Sequence, residues 1–335
     1  PLLVMALGVS YAPELLPALK RMIAFISYFS VFTIGMMMAR ENQLHKLLRV
    51  IVLSSVIPLG LGIYQLATGQ LAVEGRLAAT FTHPNIFAFY CLLVLIVLVY
   101  LQRLQDRGEA LGAGQVEKTL QWILLVLLLV SIVFTQTRSA WVALVLITLV
   151  YGALFSRKIL LWLFVGMVLA ALAPAVQDRV ADLLSGNEVV GYSKLNSFAW
   201  RQHIWESGLN WMSTSRYLLG YGIGGFFHYS PEFFLMSGGR SYGAHNVFVE
   251  RFFDGGLLAV AVFAVFFAAQ MLKAAKLFRI DQFSSLVYFG LILSYLTLNA
   301  SDNVVDYLAY NWYYWAVAGS FYATAQRMTS ASAHP

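Results

Sequence analysis

The chain has 335 residues, 60% of them hydrophobic and 11% charged, with a mean hydropathy of +0.71. Soluble domains carry about 25% charged residues, so a soluble fold is excluded and lipid must be the solvent for most of the chain. The net charge of +6 then reads as membrane topology and attraction to anionic groups rather than as a nucleic-acid partner.

The first residue is Pro1, so the chain is expected to begin inside a longer polypeptide, with a helix or two before it. There is no basic stretch followed by a small-residue cleavage site, the pattern of a signal peptide. The single cysteine, Cys91, lies in an apolar run and is expected to be a packing residue. It has no partner for an internal disulfide and too few companions for a thiolate metal site.

A helix needs roughly 20 apolar residues to cross the hydrocarbon. In chain order the predicted spans are 22–39, 50–67, 84–101, 120–136, 140–155, 159–176, 255–272, 284–300 and 309–326. None alternates with period two, which argues against a β-barrel. The predicted fold class is all-α: a polytopic integral membrane protein with about nine transmembrane helices and one long loop containing amphipathic helices. The organisation is 1–176 (six spans), 177–254 (the loop) and 255–335 (three spans). The aromatic stretch from Tyr307 to Tyr322 reads as an interfacial belt plus the final span.

Orientation follows from Lys and Arg in short loops. One side holds Arg40, Lys46, Arg49, Arg103, Arg107, Lys118, Arg157, Lys158, Lys273, Lys276, Arg279 and Arg327. The other holds only Lys20, Arg21, Arg76 and Arg138. The first side is expected to be cytoplasmic, which puts 177–254 and any chemistry it carries outside.

Within that loop, Asp178 to Asn196 reads as a short helix and a turn, with Gly186 and Gly191 as breakers. Ser197 to Met212 reads as an amphipathic helix. Trp200, Ile204, Trp205, Leu209 and Trp211 form its apolar face, while Arg201, Gln202, Glu206 and Asn210 lie elsewhere. Three tryptophans on a short helix predict a helix lying flat on the outer membrane surface. Gly220-Tyr221-Gly222-Ile223-Gly224-Gly225 lacks the Lys-Ser/Thr of a phosphate loop, so Gly222 and Gly224 are expected to support a tight turn with close backbone approach. His245 and Asn246 stand where the chain re-enters the membrane.

The six histidines show no metal-binding spacing, and no metal or other cofactor is expected. The arginines at the outer span ends are more informative. Arg138 occupies a very short turn between two spans, Arg201 the loop helix, and Arg76 the stretch before the third span. Each could snorkel to phospholipid or hold an anion, and arginine suits bidentate phosphate binding.

These pieces, in this order, resemble the O-antigen ligase and O-antigen polymerase superfamily of bacterial membrane glycosyltransferases. The matching segments are Arg76 to His83-Pro84-Asn85, Thr137-Arg138-Ser139, Arg201-Gln202-His203-Ile204-Trp205, Gly220-Tyr221-Gly222-Ile223-Gly224, and Ala244-His245-Asn246 leading to Gly255-Gly256-Leu257. The resemblance implies a multi-pass protein of the bacterial inner membrane with its active site facing the periplasm. It implies a metal-independent enzyme whose donor is an undecaprenyl-pyrophosphate-linked glycan. The acceptor is a lipid A core sugar in a ligase, or a second lipid-linked glycan in an O-antigen or exopolysaccharide polymerase. By the resemblance, Arg138 and Arg201 bind the donor pyrophosphate, with Arg76 a weaker third, and His245 is the catalytic residue. The chemistry agrees. A sugar hydroxyl needs a base that is neutral near physiological pH, while a departing pyrophosphate needs fixed cations. The reading favours ligase over polymerase, although Thr82-His83-Pro84-Asn85 also resembles exopolysaccharide polymerases.

A transporter of lipid-linked glycans is the competing class. It would predict charges inside the spans and repeated halves with broken helices, and neither is visible in the sequence. The orientation is open to test: cysteines placed in 177–254 should react with an impermeant maleimide from outside the inner membrane. Cysteines in 40–49, 102–119 and 273–283 should react only after that membrane is permeabilised. The opposite pattern would invert the topology.

Overall fold

The computed structural model describes residues 2–72, 75–108, 114–184 and 196–331. Fourteen α-helices follow in order: α1 Leu2–Ser10, α2 Leu15–Arg40, α3 Leu44–Ser54, α4 Val56–Thr68, α5 Pro84–Asp106, α6 Gln115–Phe134, α7 Arg138–Leu154, α8 Arg157–Ala171, α9 Pro174–Leu184, α10 Ser197–Trp211, α11 Gly225–Phe233, α12 Val247–Phe278, α13 Gln282–Asn299 and α14 Leu308–Ala331. Among the described residues there is no strand, only an isolated bridge between Ala72 and Arg76.

The fold is all-α and membrane-embedded. Each predicted span coincides with helix: α2, α3 with α4, α5, α6, α7, α8, α12, α13 and α14. Five helical stretches are long and apolar enough to cross a bilayer unaided: Leu15–Arg40, Leu44–Thr68, Pro84–Asp106, Gln115–Phe134 and Val247–Phe278. Arg157–Ala171 with the bent continuation Val176–Asp182 would make a sixth. Helix α7 is apolar but only 17 residues long. The short helix expected after Asp178 is α9, and the turn with Gly186 and Gly191 lies outside the described residues. Helix α1 was not anticipated.

The chain divides into two compact units. One comprises 31–177, 271–298 and 309–335. Its buried element is α5, which packs against α3, α6 and α7. The start of α5 is written locally: His83 is extended, Pro84 occupies the first helical position, and His83 Nδ1 accepts the Asn85 amide at 3.1 Å. Proline there surrenders an N–H that has no helical partner anyway, and it pushes its predecessor out of the helical region. The break between α3 and α4 has a similar origin, since Pro58 cannot donate to the Ser54 carbonyl.

Helices α2 and α14 cross at glycine. A Cβ on Gly35 would stand 2.0 Å from the Ala316 carbonyl oxygen, and one on Gly319 the same distance from that of Phe32. Of the aromatic residues expected in an interfacial belt, Trp312 is exposed while others pack inside the protein. Tyr310 and Tyr314 are buried in a stack with Tyr295, whose ring centroid lies 4.0 Å from that of Tyr314. Tyr295 and Trp315 both donate to Asn311 Oδ1.

The other unit comprises 1–30, 178–270 and 299–308. Its core is Ile204, Met212, Phe226, Phe233, Phe234, Ala244 and Phe253. The expected apolar face of α10 exists, but Trp200, Trp205, Leu209 and Trp211 pack on this core. These four side chains are half-buried, so protein packs on much of the face that the sequence assigns to the membrane surface.

Helix α12 is broken at Gly256 (φ 63°, ψ −162°). The break releases amides of the next turn. Leu257 donates to Tyr217 O at 2.8 Å and Leu258 to Leu218 O at 3.2 Å. From the other side, the Tyr221 and Gly222 amides donate to Phe253 O and Asp254 O. The glycine motif is thus a strip of backbone laid along the break. A Cβ on Gly222 would fall 2.6 Å from Ala12 Cα and Tyr11 O, which explains why only glycine fits there.

The α2–α14 crossing can be checked. Gly35→Ala and Gly319→Ala should each lower the thermal midpoint of the detergent-solubilised protein, with overpacking costing about 1–3 kcal/mol. Unchanged midpoints in both would mean that the crossing tolerates a side chain.

Candidate active site

His245 lies two residues before α12 in a left-handed backbone conformation, φ 49°, uncommon for a residue with a side chain. Its Nδ1 lies 3.2 Å from Asp302 Oδ1. The imidazole is 41% exposed and the carboxylate 2%. The pair therefore has a buried acidic end and an open imidazole end. When His245 donates through Nδ1, its Nε2 lone pair can accept a proton.

The surroundings fix this geometry. The Trp205 indole N–H donates to Ala244 O at 2.6 Å, fastening the preceding residue. The Trp200 ring meets the imidazole edge-on at 6.2 Å. Asn246 Oδ1 caps α12 by accepting the Phe248 and Val249 amides.

Arg201 follows Trp200 on α10 and joins the same neighbourhood through Tyr307. Burial, together with the Asp302 carboxylate to which its hydroxyl bonds, holds the Tyr307 phenol well above its ordinary range, and the Arg201 charge pulls the other way. The Tyr307 hydroxyl bonds the carboxylate that faces His245, and the Arg201 charge bears on that hydroxyl. The sequence reading missed Asp302 and Tyr307. Their signal was the polar run Asn299 to Asp306 between two apolar spans, expected on the same side as the long loop.

A second polar centre surrounds Arg21. Its guanidinium meets Glu250 Oε1 at 3.0 Å, Asp306 Oδ2 at 3.3 Å and Asp254 Oδ2 at 3.7 Å. Asp254 also accepts the Gly224 and Phe226 amides, both at 2.8 Å. Gly224 thereby supports the site by ending the glycine strip on a carboxylate. Burial raises the Asp306 carboxyl above its usual range, with Arg21 opposing and Glu250 adding to the rise.

Arg76, Asn85 and Arg138 belong to the other unit. Arg138 is the first residue of α7 and is half-buried. A cation at the positive end of a helix dipole is suited to anions. Gln136 is left-handed at φ 52°, and the neighbouring segment stabilises that turn. Arg76 Nε donates to Thr135 O at 2.8 Å, and one Nη donates to Asn85 Oδ1 at 2.7 Å and Thr137 Oγ1 at 3.1 Å. The Leu77 amide takes Phe134 O. Arg76 closes the exposed carbonyl end of α6 and ties it to the start of α5. This places Arg76 in a holding role for the turn that carries Arg138.

Among the described residues, no group of three or more His, Cys, Asp or Glu is arranged to hold a metal ion. Cys91 is buried and free.

The turn supplies a test. Arg76→Ala removes charge-assisted hydrogen bonds worth about 1.5–3 kcal/mol each at most and should lower the thermal midpoint. Arg76→Lys should recover only part, because lysine lacks the planar fork. A midpoint unmoved by Arg76→Ala would remove the holding role.

No curated protein matches the chain. Residues 123–264, which include Arg138, Arg201 and His245, match the family described as O-antigen ligase. With the helical membrane fold and the ordered motifs in place, that match supports membership of the O-antigen ligase superfamily.

Proposed function

We propose that this membrane glycosyltransferase moves a glycan from an undecaprenyl-pyrophosphate carrier to an acceptor hydroxyl. The reading favoured here is O-antigen ligase, with a lipid A core sugar as acceptor, at the periplasmic face of the bacterial inner membrane. The observation that carries the proposal is the His245–Asp302 pair, with Nδ1 committed to a buried carboxylate and the other end of the ring exposed.

On this reading His245 Nε2 takes the acceptor proton as the acceptor oxygen bonds to the anomeric carbon. The bond from that carbon to the pyrophosphate oxygen breaks, and the lipid pyrophosphate leaves with its electron pair. Asp302 holds the ring and stabilises the imidazolium. The leaving group needs no proton, only fixed positive charge. Arg201, next to the Trp200 that meets the imidazole, is suited to supply it. A donor-binding role for Arg138 rests on the resemblance and on its position at the head of α7. No step calls for a metal or another cofactor. A polymerase would use the same donor chemistry with a second lipid-linked repeat unit as acceptor.

The test is transfer by purified protein in liposomes, from a defined lipid-pyrophosphate glycan, with lipid A core and a lipid-linked glycan offered separately. The acceptor used separates ligase from polymerase. His245→Ala and His245→Gln should each lower turnover about 10²–10⁴-fold while donor binding persists. Arg201→Ala and Arg138→Ala should also lose most transfer. Substantial turnover by His245→Gln would make His245 a structural cap.

A further inference from the structure

His245 is left-handed and half exposed, so something must hold it to one geometry. Its own bond to Asp302 fixes the ring, but not the backbone from which the ring hangs. The backbone is held by the next residue of each partner. The Asn246 amide donates to Asn303 Oδ1 at 3.0 Å. Asn303 Nδ2 donates in turn to Glu250 Oε2, one turn into α12. Glu250, 7% exposed, is anchored on its other oxygen by Arg21 Nη1 at 3.0 Å. The Asn303 main-chain amide donates to Asp302 Oδ1 at 2.9 Å, the same oxygen that faces His245. Two consecutive residues therefore grip two consecutive residues: Asp302 holds the imidazole of His245, and Asn303 holds the peptide behind it.

The chemistry of the Asn303 position is specific. It must accept from a backbone N–H on one side and donate to a carboxylate on the other, which an amide does and an ionised carboxylate cannot. Gly243 leaves room for it, since a Cβ there would stand 2.8 Å from Asn303 Nδ2.

We propose that Asn303, through Glu250 and Arg21, is a positioning residue that sets the backbone of His245 and so the aim of its Nε2. It touches neither donor nor acceptor. The inference rests on the functional reading above for its catalytic consequence, but the geometry it describes can be measured without activity.

The decisive variants exchange the two polar ends. Asn303→Asp sets two carboxylates against each other, and Glu250→Gln leaves one acceptor oxygen for two donors, Asn303 Nδ2 and Arg21. Together they restore a complementary pair. The carboxylate introduced at position 303 accepts from the Asn246 amide and from the side-chain amide introduced at position 250, whose oxygen still faces Arg21. With ¹⁵N-histidine-labelled protein in liposomes, the His245 ring signals are identified by their loss in His245→Gln. They should shift or broaden in each single variant and return in the double variant. In the transfer assay each single variant should lower kcat about 10- to 100-fold, as loss of an orienting partner does elsewhere, with KM for donor nearly unchanged. The double variant should recover much of that loss.

Unmoved His245 signals in folded single variants would overturn the inference, as would a double variant no better than the worse single one. If the signals move and recover but wild-type protein transfers no glycan to any acceptor, the positioning geometry stands and the functional reading fails.

Discussion

Most of the loop-bearing unit depends on one defect, the break in α12 at Gly256. A broken helix exposes amides and carbonyls that cost several kcal/mol each if buried without partners. Here they are satisfied by backbone: Tyr217 and Leu218 accept from the second half of α12, while Phe253 and Asp254 receive the Tyr221 and Gly222 amides from the first. That exchange draws the glycine strip against the helix. It also delivers Asp254 to the head of α11 and closes the aromatic core around Phe253. With the first segment of α12 fixed, the residues at its start, His245 and Asn246, have a defined place.

The polar network follows the same logic. Arg21 gathers three carboxylates that would otherwise repel one another in a poorly solvated place. Such a cluster is weak evidence for stability, since desolvation offsets much of the attraction. It does link α2, the start of α12 and the 302–306 segment by directional bonds. Direction matters at this site, because proton transfer depends on where Nε2 points.

In the other unit, the turn before Arg138 rests on a comparable economy. The carbonyl end of α6 has no helical donors left; Arg76 and Leu77 supply them from a segment far earlier in the chain. Arg76, which the sequence suggests as an anion ligand, bonds in the fold to a carbonyl, an amide oxygen and a hydroxyl.

The sequence by itself determined the features that rest on local physics. The hydrophobic segments are helices, because lipid leaves no other way to satisfy their backbone. His83-Pro84 starts α5, because proline and its predecessor have few other conformations. The glycines mark close backbone approach. The motifs in chain order indicated the family and named His245, Arg138 and Arg201. Only the tertiary structure decided what those residues meet. Asp302 lies 57 positions from His245, and nothing in a periodic pattern specifies a pairing at that range. Amphipathicity stated that α10 has an apolar face but not whether lipid or protein covers it, since both are equally apolar partners. The same ambiguity misdirected the reading of Tyr310 and Tyr314, which could have been anchored at an interface and are instead stacked in a core. Composition fixes the solvent and the secondary structure; which polar group answers which is settled by the three-dimensional fold.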